Sequence, residues 1–133
     1  MKKSTILLAA AFVVVISIVL SCGMQSREDK VYIINSEYSF AYSFPKKPKL
    51  GTNILKVSLF KEHEKVRDLD VAVFYNMPSC STHRVGKTVA MQLNRDNDYL
   101  TPMDFTMRGT WEVTITFKQN DEDLHSEKIL VKI

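Results

Sequence analysis

One short segment of the chain concentrates side chains that bind soft metal ions. Met77 carries a thioether, Cys80 a thiol and His83 an imidazole, at intervals of three residues. This combination favours Cu(I) over hard cations. A regular strand would send Cys80 to the side opposite Met77 and His83, so the metal hypothesis requires an irregular loop after Pro78. We therefore predict a candidate Cu(I) site formed by Met77, Cys80 and His83.

Two later methionines are candidate additional ligands for the same site. Met103 and Met107 flank Phe105 at a period of two, and strands can bring them near the loop. The same spacing also fits an ordinary hydrophobic core, as does Met91 in its own apolar run. The segment around Cys80 thus has three interpretations: a metal site, a structural or partner-binding loop, and a redox thiol. A redox thiol is disfavoured because no Cys-x-x-Cys pair is present.

The sequence lacks the motifs of the common enzyme classes. Its four glycines form no phosphate-binding loop, and there is neither a Gly-x-Ser-x-Gly elbow nor a His-Glu-x-x-His pair. His63 and His125 lie in polar contexts and are predicted to be solvated surface residues. The acidic run 121–123 lacks the alternating ligand spacing of a calcium loop and is predicted to be a hairpin tip. We expect no enzymatic activity and no cofactor other than copper.

The N-terminus has the anatomy of an export signal. Lys2 and Lys3 give a positive start, residues 6–20 are apolar apart from one serine, and Ser21 precedes Cys22 as in a bacterial lipobox. We predict that residues 1–21 are a lipoprotein signal peptide and that Cys22 is lipidated. An uncleaved transmembrane anchor and simple secretion are the alternatives. All three place the domain outside the cytoplasm, and lipidation would hold it on the periplasmic or cell-surface side of a membrane.

Composition predicts one small domain on a short tether. Residues 22–30 are polar and aperiodic, which indicates a flexible tether, and residues 31–133 are enough for one core. The formal charge of +3 includes Lys2 and Lys3; without them, 16 basic residues face 15 acidic ones. This balance gives no support to nucleic-acid binding, which normally uses a clustered basic face.

Period-two alternation predicts an all-β domain. In residues 110–118 it is clearest: Trp111 and the apolar residues at every second position share one face, so we expect Trp111 to be buried between two sheets. Further strands are predicted at 31–34, 38–44, 54–60, 71–75, 87–93 and 128–133, separated by turns at 45–48, 62–65, 95–98 and 120–123. We predict an immunoglobulin-like antiparallel β-sandwich of seven to eight strands, with a partly open barrel as the alternative.

Two short motifs resemble those of a known family. Met77-Pro78 at a strand end and the Met-x-Gly-x-Trp motif of residues 107–111 resemble the YtkA-like domain, a FixH-related extracytoplasmic β-sandwich. The resemblance spans residues 44–131. It implies membrane-proximal roles, including copper handling and oxidase assembly in relatives. The expected function is a non-catalytic binding or accessory module; the alternative is a structural domain that binds another envelope protein without a metal.

Overall fold

The computed structural model describes residues 30–79 and 87–133. In these residues the regular structure consists of strands, and no helix long and apolar enough to cross a membrane occurs among them. The described strands are β1 (Val31–Ile33), β2 (Tyr38–Ser43), β3 (Gly51–Lys61), β4 (Glu64–Lys65), β5 (Asp70–Asn76), β6 (Lys87–Ala90), β7 (Gln92–Leu93), β8 (Asp98–Phe105), β9 (Thr110–Gln119) and β10 (Glu122–Lys132).

The ten described strands form two antiparallel sheets. The first sheet has the order β1-β2-β3-β8-β7, with β4 paired to β3 beyond the start of β8. The second has the order β10-β9-β5-β6. The prediction of an antiparallel β-sandwich is confirmed. The count exceeds seven or eight because β4 and β7 are two residues long, too short to leave a period-two pattern.

The core lies between the two sheets and is formed by alternate residues of the longer strands. On β9, Trp111 is 4% exposed, and Val113, Ile115 and Phe117 are fully buried. Phe40 on β2 faces them from the first sheet, with its ring centroid 4.6 Å from that of Phe117. The predictions that β9 is half-buried and that Trp111 lies in the core are both confirmed.

The predicted strand 87–93 is in fact two strands that belong to different sheets. β6 pairs with β5 in the second sheet, whereas β7 pairs with β8 in the first. Met91 lies between them, and its backbone N–H donates to the carbonyl of Val71 at 2.9 Å. The single-strand prediction was wrong because the apolar alternation continues across this crossover. Residues 87–93 therefore connect the two sheets along one side of the sandwich.

Two strands differ from the sequence prediction, β8 because it contains a proline and β10 because its first half is polar. β8 is not predicted, because Pro102 interrupts it; β7 covers β8 only at Tyr99 and Leu100, so Pro102 lies where β8 is an edge strand and a missing N–H is tolerated. β10 begins at Glu122 rather than at residue 128. Its first half is polar because it too forms the edge of a sheet.

Candidate functional site

Three methionines lie at the same end of the sandwich. β5 and β8 finish there and β9 begins there; Met77 follows β5, Met103 lies in the last part of β8, and Met107 is in the loop before β9. We call this the methionine end. Cys80 and His83 fall in residues 80–86, outside the described residues. That segment starts after Ser79 and rejoins the fold at Lys87, which pairs with Tyr75 near the end of β5.

The three thioethers differ in their access to solvent. Met77 is 3% exposed and Met103 is 1% exposed, and both belong to the hydrophobic core. Met107 is 40% exposed. Met107 is thus the thioether open to solvent at this end of the sandwich, whereas Met77 and Met103 are enclosed by the core.

The two halves of the family motif are in contact. A Cβ atom added to Gly109 would lie 3.1 Å from Cε of Met77 and 3.6 Å from its Sδ. Gly109 has φ of +140°, a conformation that side chains rarely adopt. Gly109 is therefore required both for its backbone angle and for the close approach of the Met77 thioether.

The loop that carries Met107 is fixed at both ends. Nε1 of Trp111 donates a hydrogen bond of 3.0 Å to the carbonyl oxygen of Met107. The backbone of Gly109 exchanges two hydrogen bonds with that of Ile133, at 3.1 and 2.9 Å. Trp111 thus fills the core with its ring and holds the loop with its N–H, as buried tryptophans commonly do.

Aromatic rings support the methionine end from below. The ring centroids of Phe105 and Trp111 are 5.3 Å apart, and each lies 6.2 Å from that of Tyr75. The hydroxyl of Tyr75 accepts a hydrogen bond from the backbone N–H of Asp104 at 3.3 Å, which links β5 to β8 across the sandwich. This packing gives Met77 and the loop after β8 a rigid base.

The chemistry of the described donors suits a soft ion. Thioethers are neutral and apolar, so they can occupy a core end where carboxylates would carry a desolvation cost. Among residues 30–79 and 87–133, no group of three or more His, Cys, Asp or Glu side chains is placed to hold a metal. The thiol and imidazole of the candidate set belong to Cys80 and His83.

One buried polar atom lies next to Met77. Oδ1 of Asn76 is buried and has no hydrogen-bond partner among the described residues. An acceptor left in that state costs about 1–3 kcal/mol, so a donor from beyond the described residues or a water molecule is expected there. Asn76 and Met77 are neighbours in an extended strand end, and their side chains therefore lie on opposite faces.

The two other histidines have different environments. His63 is exposed in the turn between β3 and β4, as predicted. His125 is half-buried: its ring lies 6.1 Å from that of Phe40, and its Nε2 is 3.2 Å from Oε2 of Glu127. The prediction of a solvated His125 was wrong, because β10 begins earlier than its polar sequence indicates and directs this residue toward the core.

A family model described as YtkA-like matches residues 34–116, more than half of the chain. The chain belongs to the YtkA-like family. The matched region contains both Met77-Pro78 and the Met-x-Gly-x-Trp motif, so this YtkA-like match includes the two segments that meet at the methionine end. It ends within β9, and β10 lies beyond it.

The YtkA-like fold has a match among solved structures. The chain resembles the crystal structure of a DUF4426 family protein from Pseudomonas aeruginosa PAO1, with a TM-score of 0.56 and 13% sequence identity. The match covers 79% of this chain and 96% of that one, and at this identity it shows the fold alone. No curated protein is a significant match. The family match and the structural neighbour together indicate a β-sandwich domain.

Proposed function

We propose that this YtkA-like protein is a non-catalytic, membrane-anchored accessory module of the cell envelope that captures Cu(I) at the methionine end. The proposal rests on the observation that candidate ligands from separate segments, and the residues that border the other candidates in the chain, lie at one end of the sandwich. Met77 and Met107 lie at the same end of the sandwich, and Ser79 and Lys87, which border the segment with Cys80 and His83, lie there too.

Each candidate ligand has a distinct part in this proposal. Cys80 supplies a thiolate, whose charge matches that of the ion; Met77 and His83 add neutral soft and borderline donors. Met107 is the thioether with access to solvent, so it is placed to meet an arriving ion first. Met103 on β8, 1% exposed, is a further candidate sulfur donor. Copper in this proposal is cargo that the protein binds and passes on.

The decisive test is competition for Cu(I) between bathocuproine and the reduced protein. We expect Cys80→Ser, Met77→Leu and His83→Ala each to weaken binding by roughly tenfold or more, since even loss of an outer-shell partner typically costs about 10–100-fold. Met91→Leu is the matched control, because Met91 is also buried but lies at the crossover between β6 and β7. Equal affinities in all four variants and the parent would remove copper from the proposal.

Membrane anchoring has its own test. We expect mass spectrometry of membrane-extracted protein to find an N-terminus at Cys22 with lipid on its sulfur. Cys22→Ser should leave the precursor uncleaved. An intact Met1 in the parent protein, or an unmodified Cys22, would contradict lipidation.

A second function is favoured by the burial of two of the methionines. Met77 and Met103 are packed as ordinary core residues are, at 3% and 1% exposure. If none of the copper-site variants changes Cu(I) affinity, we propose instead a structural domain that binds another envelope protein without a metal. Its loops and exposed sheet edges then provide the binding surface.

A further inference from the structure

The methionine end also carries a cluster of basic side chains. Segments 44–50, 106–109 and 132–133 contain no acidic residue and present five exposed cations, which we call the basic patch: Lys46, Lys47, Lys49, Arg108 and Lys132. Four of these five line one groove of about 480 Å³, from which only Lys46 is missing. The separate segments therefore form one continuous surface.

The opposite end of the sandwich has the reverse charge. Segments 35–37, 61–70, 94–98 and 118–123 carry five basic side chains and ten acidic ones, which are Glu37, Glu62, Glu64, Asp68, Asp70, Asp96, Asp98, Asp121, Glu122 and Asp123. Lys61, Lys65 and Lys118 form ion pairs there. By contrast, no member of the basic patch has an ion pair among the described residues. Its charge is available to an external anion.

A buried side chain fixes the shape of the lysine loop. Asn53, 7% exposed, accepts a hydrogen bond from the N–H of Lys49 at 2.9 Å and donates to the carbonyls of Lys49 and Gly51 at 2.7 and 2.8 Å. These bonds hold the backbone of the loop at Lys49, where it leads into β3. The backbone that carries Lys49 is therefore preformed, so its side chain is the part that has to be ordered when it meets a ligand.

Apolar residues lie beside these lysines. A second groove of about 450 Å³, on the outer face of the first sheet, is lined by Lys46, Lys47 and Lys49 together with Ile54 and Leu100. Ile54 and the neighbouring Leu50 are each 42% exposed. Cations flanked by exposed aliphatic side chains match the interface of a bilayer, which presents anionic headgroups above apolar chains.

We infer that the basic patch is a docking surface for anionic phospholipid and that it turns the methionine end toward the membrane. The inference deepens the proposed function and rests on its membrane anchor. β1 runs away from the methionine end, but Val31 pairs with Ala41, which in turn pairs with Ser58 in the second half of β3. The tether therefore joins the fold part-way along the sandwich, and it is the charge of the basic patch that selects the end facing the membrane. Residues 22–29 span at most about 28 Å when fully extended, which keeps the domain within reach of the bilayer that holds Cys22.

Lysine footprinting of the full chain in vesicles tests this orientation. The chain is reconstituted without copper into phosphatidylcholine vesicles with or without phosphatidylglycerol, and lysine acetylation is quantified by mass spectrometry. We expect labelling of Lys46, Lys47 and Lys49 to fall several-fold in the anionic vesicles, while that of Lys61 and Lys118 is unchanged. Concentrated salt should abolish the difference, because it screens exposed charges.

Two variants of equal charge provide the control. Each lysine near an anionic surface contributes about fivefold to surface affinity, so Lys46→Gln, Lys47→Gln and Lys49→Gln combined should expose Lys132 to labelling as in neutral vesicles. The matched triple variant Lys61→Gln, Arg95→Gln and Lys118→Gln should keep Lys132 protected. Thermal unfolding of both variants verifies that they fold.

The remaining outcomes overturn the inference in identifiable ways. Equal lysine labelling in the two kinds of vesicle would show that the basic patch does not dock on anionic phospholipid. Protection in detergent that grows with protein concentration identifies a second copy, whose acidic end would meet the patch. Protection seen only in native membranes, and not in protein-free vesicles, identifies an acidic protein partner. Met77→Leu should leave the footprint unchanged, so failure of copper binding and failure of docking are separate results.

Discussion

At the scale of single residues, Gly109 couples the backbone of one loop to the side chain of another segment. Its φ of +140° strains any other residue, and its missing Cβ makes room for the Met77 thioether. Gly51 has a similar backbone requirement, with φ of +93°, but no heavy atom lies within 4 Å of the position of its absent Cβ. A comparison of substitutions at the two glycines therefore distinguishes the cost of backbone strain from the cost of a steric contact.

We expect Gly109→Ala to destabilise the domain more than Gly51→Ala. Backbone strain alone costs about 1–3 kcal/mol at either position, and only Gly109→Ala adds a contact with Met77. In a Met77→Ala background the two glycine substitutions should have similar costs, because the contact is gone. Urea unfolding of the six proteins in this cycle measures the coupling. A cost of Gly109→Ala that does not depend on Met77 would show that the contact adds nothing.

Asp98 is a second residue whose role follows from its contacts. It is 4% exposed on the outer face of the first sheet, accepts a hydrogen bond from Oγ of Ser58 at 2.5 Å, and lies 2.9 Å from Nζ of Lys65. Burial by itself raises the pKa of Asp98, but the bonds from Ser58 and Lys65 and the charge of Lys65 outweigh it, so the pKa is lowered.

We expect Asp98→Asn to cost about 1.5–3 kcal/mol at neutral pH, the usual contribution of a hydrogen bond to a charged group. Because the folded-state pKa is lowered, the stabilisation is present above the unfolded-state pKa of about 3.9 and is lost as the pH falls through the folded-state value. The difference in melting temperature between parent and variant should therefore shrink below about pH 4. Parallel curves from neutral pH to about pH 3 would assign the stabilisation to another group.

For single residues, the sequence predicts the chemical character of the side chains better than their positions in the fold. The soft character of Met77 and Met107 is evident from their side chains, and the Met-x-Gly-x-Trp spacing identifies the segment that meets Met77. The basic patch was not predicted, since residues 45–48 were interpreted only as a turn. Arg108 and Lys132 line one groove with Lys47 and Lys49, a proximity that the fold creates and that no local pattern contains.

At the scale of elements, two tight turns carry backbone strain. Glu62 and His63 connect β3 to β4 with φ of +52° and +67°, and Asn120 and Asp121 connect β9 to β10 with φ of +52° and +65°. Positive φ at both central residues is the requirement of a type I′ turn, for which Asn-Gly is the preferred sequence. Asn120, Asp121 and His63 are of residue types that are enriched in this conformation, whereas Glu62 is not, and none of the four is glycine.

We expect Glu62→Asn combined with His63→Gly to stabilise the domain by about 1 kcal/mol, through relief of the left-handed strain at these two positions. Differential scanning calorimetry measures the shift in melting temperature. Ser36→Gly is the control: Ser36 is a loop residue without positive φ, where glycine adds only flexibility and should not stabilise. A melting temperature at or below that of the parent for the turn variant would contradict the prediction.

The elements that were hardest to predict are those whose pattern depends on their neighbours. β9 shows clear alternation because β5 and β10 pair with its two edges, so one of its faces packs in the core and the other faces away from it. The crossover at Met91 is not visible in the sequence, since leaving one sheet for the other preserves the apolar alternation. β8 is missed because Pro102 excludes a central strand, whereas the short β7 leaves that position at an edge.

At the scale of the whole molecule, strand order makes the domain depend on its last two strands, β9 and β10. We expect a chain that ends at Arg108 to show no cooperative unfolding transition, because it lacks β9 and β10, two of the four strands of the second sheet. A chain that begins at Asn35 should keep the transition, since it loses only β1, a three-residue edge strand. Circular dichroism during heating measures both. Cooperative melting of the chain that ends at Arg108 would show that β9 is dispensable.

The same strand order imposes a sequence of events on a newly made chain. Synthesis proceeds from the N-terminus, so β2 and β3 emerge early with Phe40, Leu55 and Leu59 on one face. The strand that buries this face from the other side, β9, emerges near the end. Until β9 is made, only β5 and β6 of the second sheet are available to cover this apolar face, so we expect a factor that shields unfinished chains to protect it until Phe117 arrives.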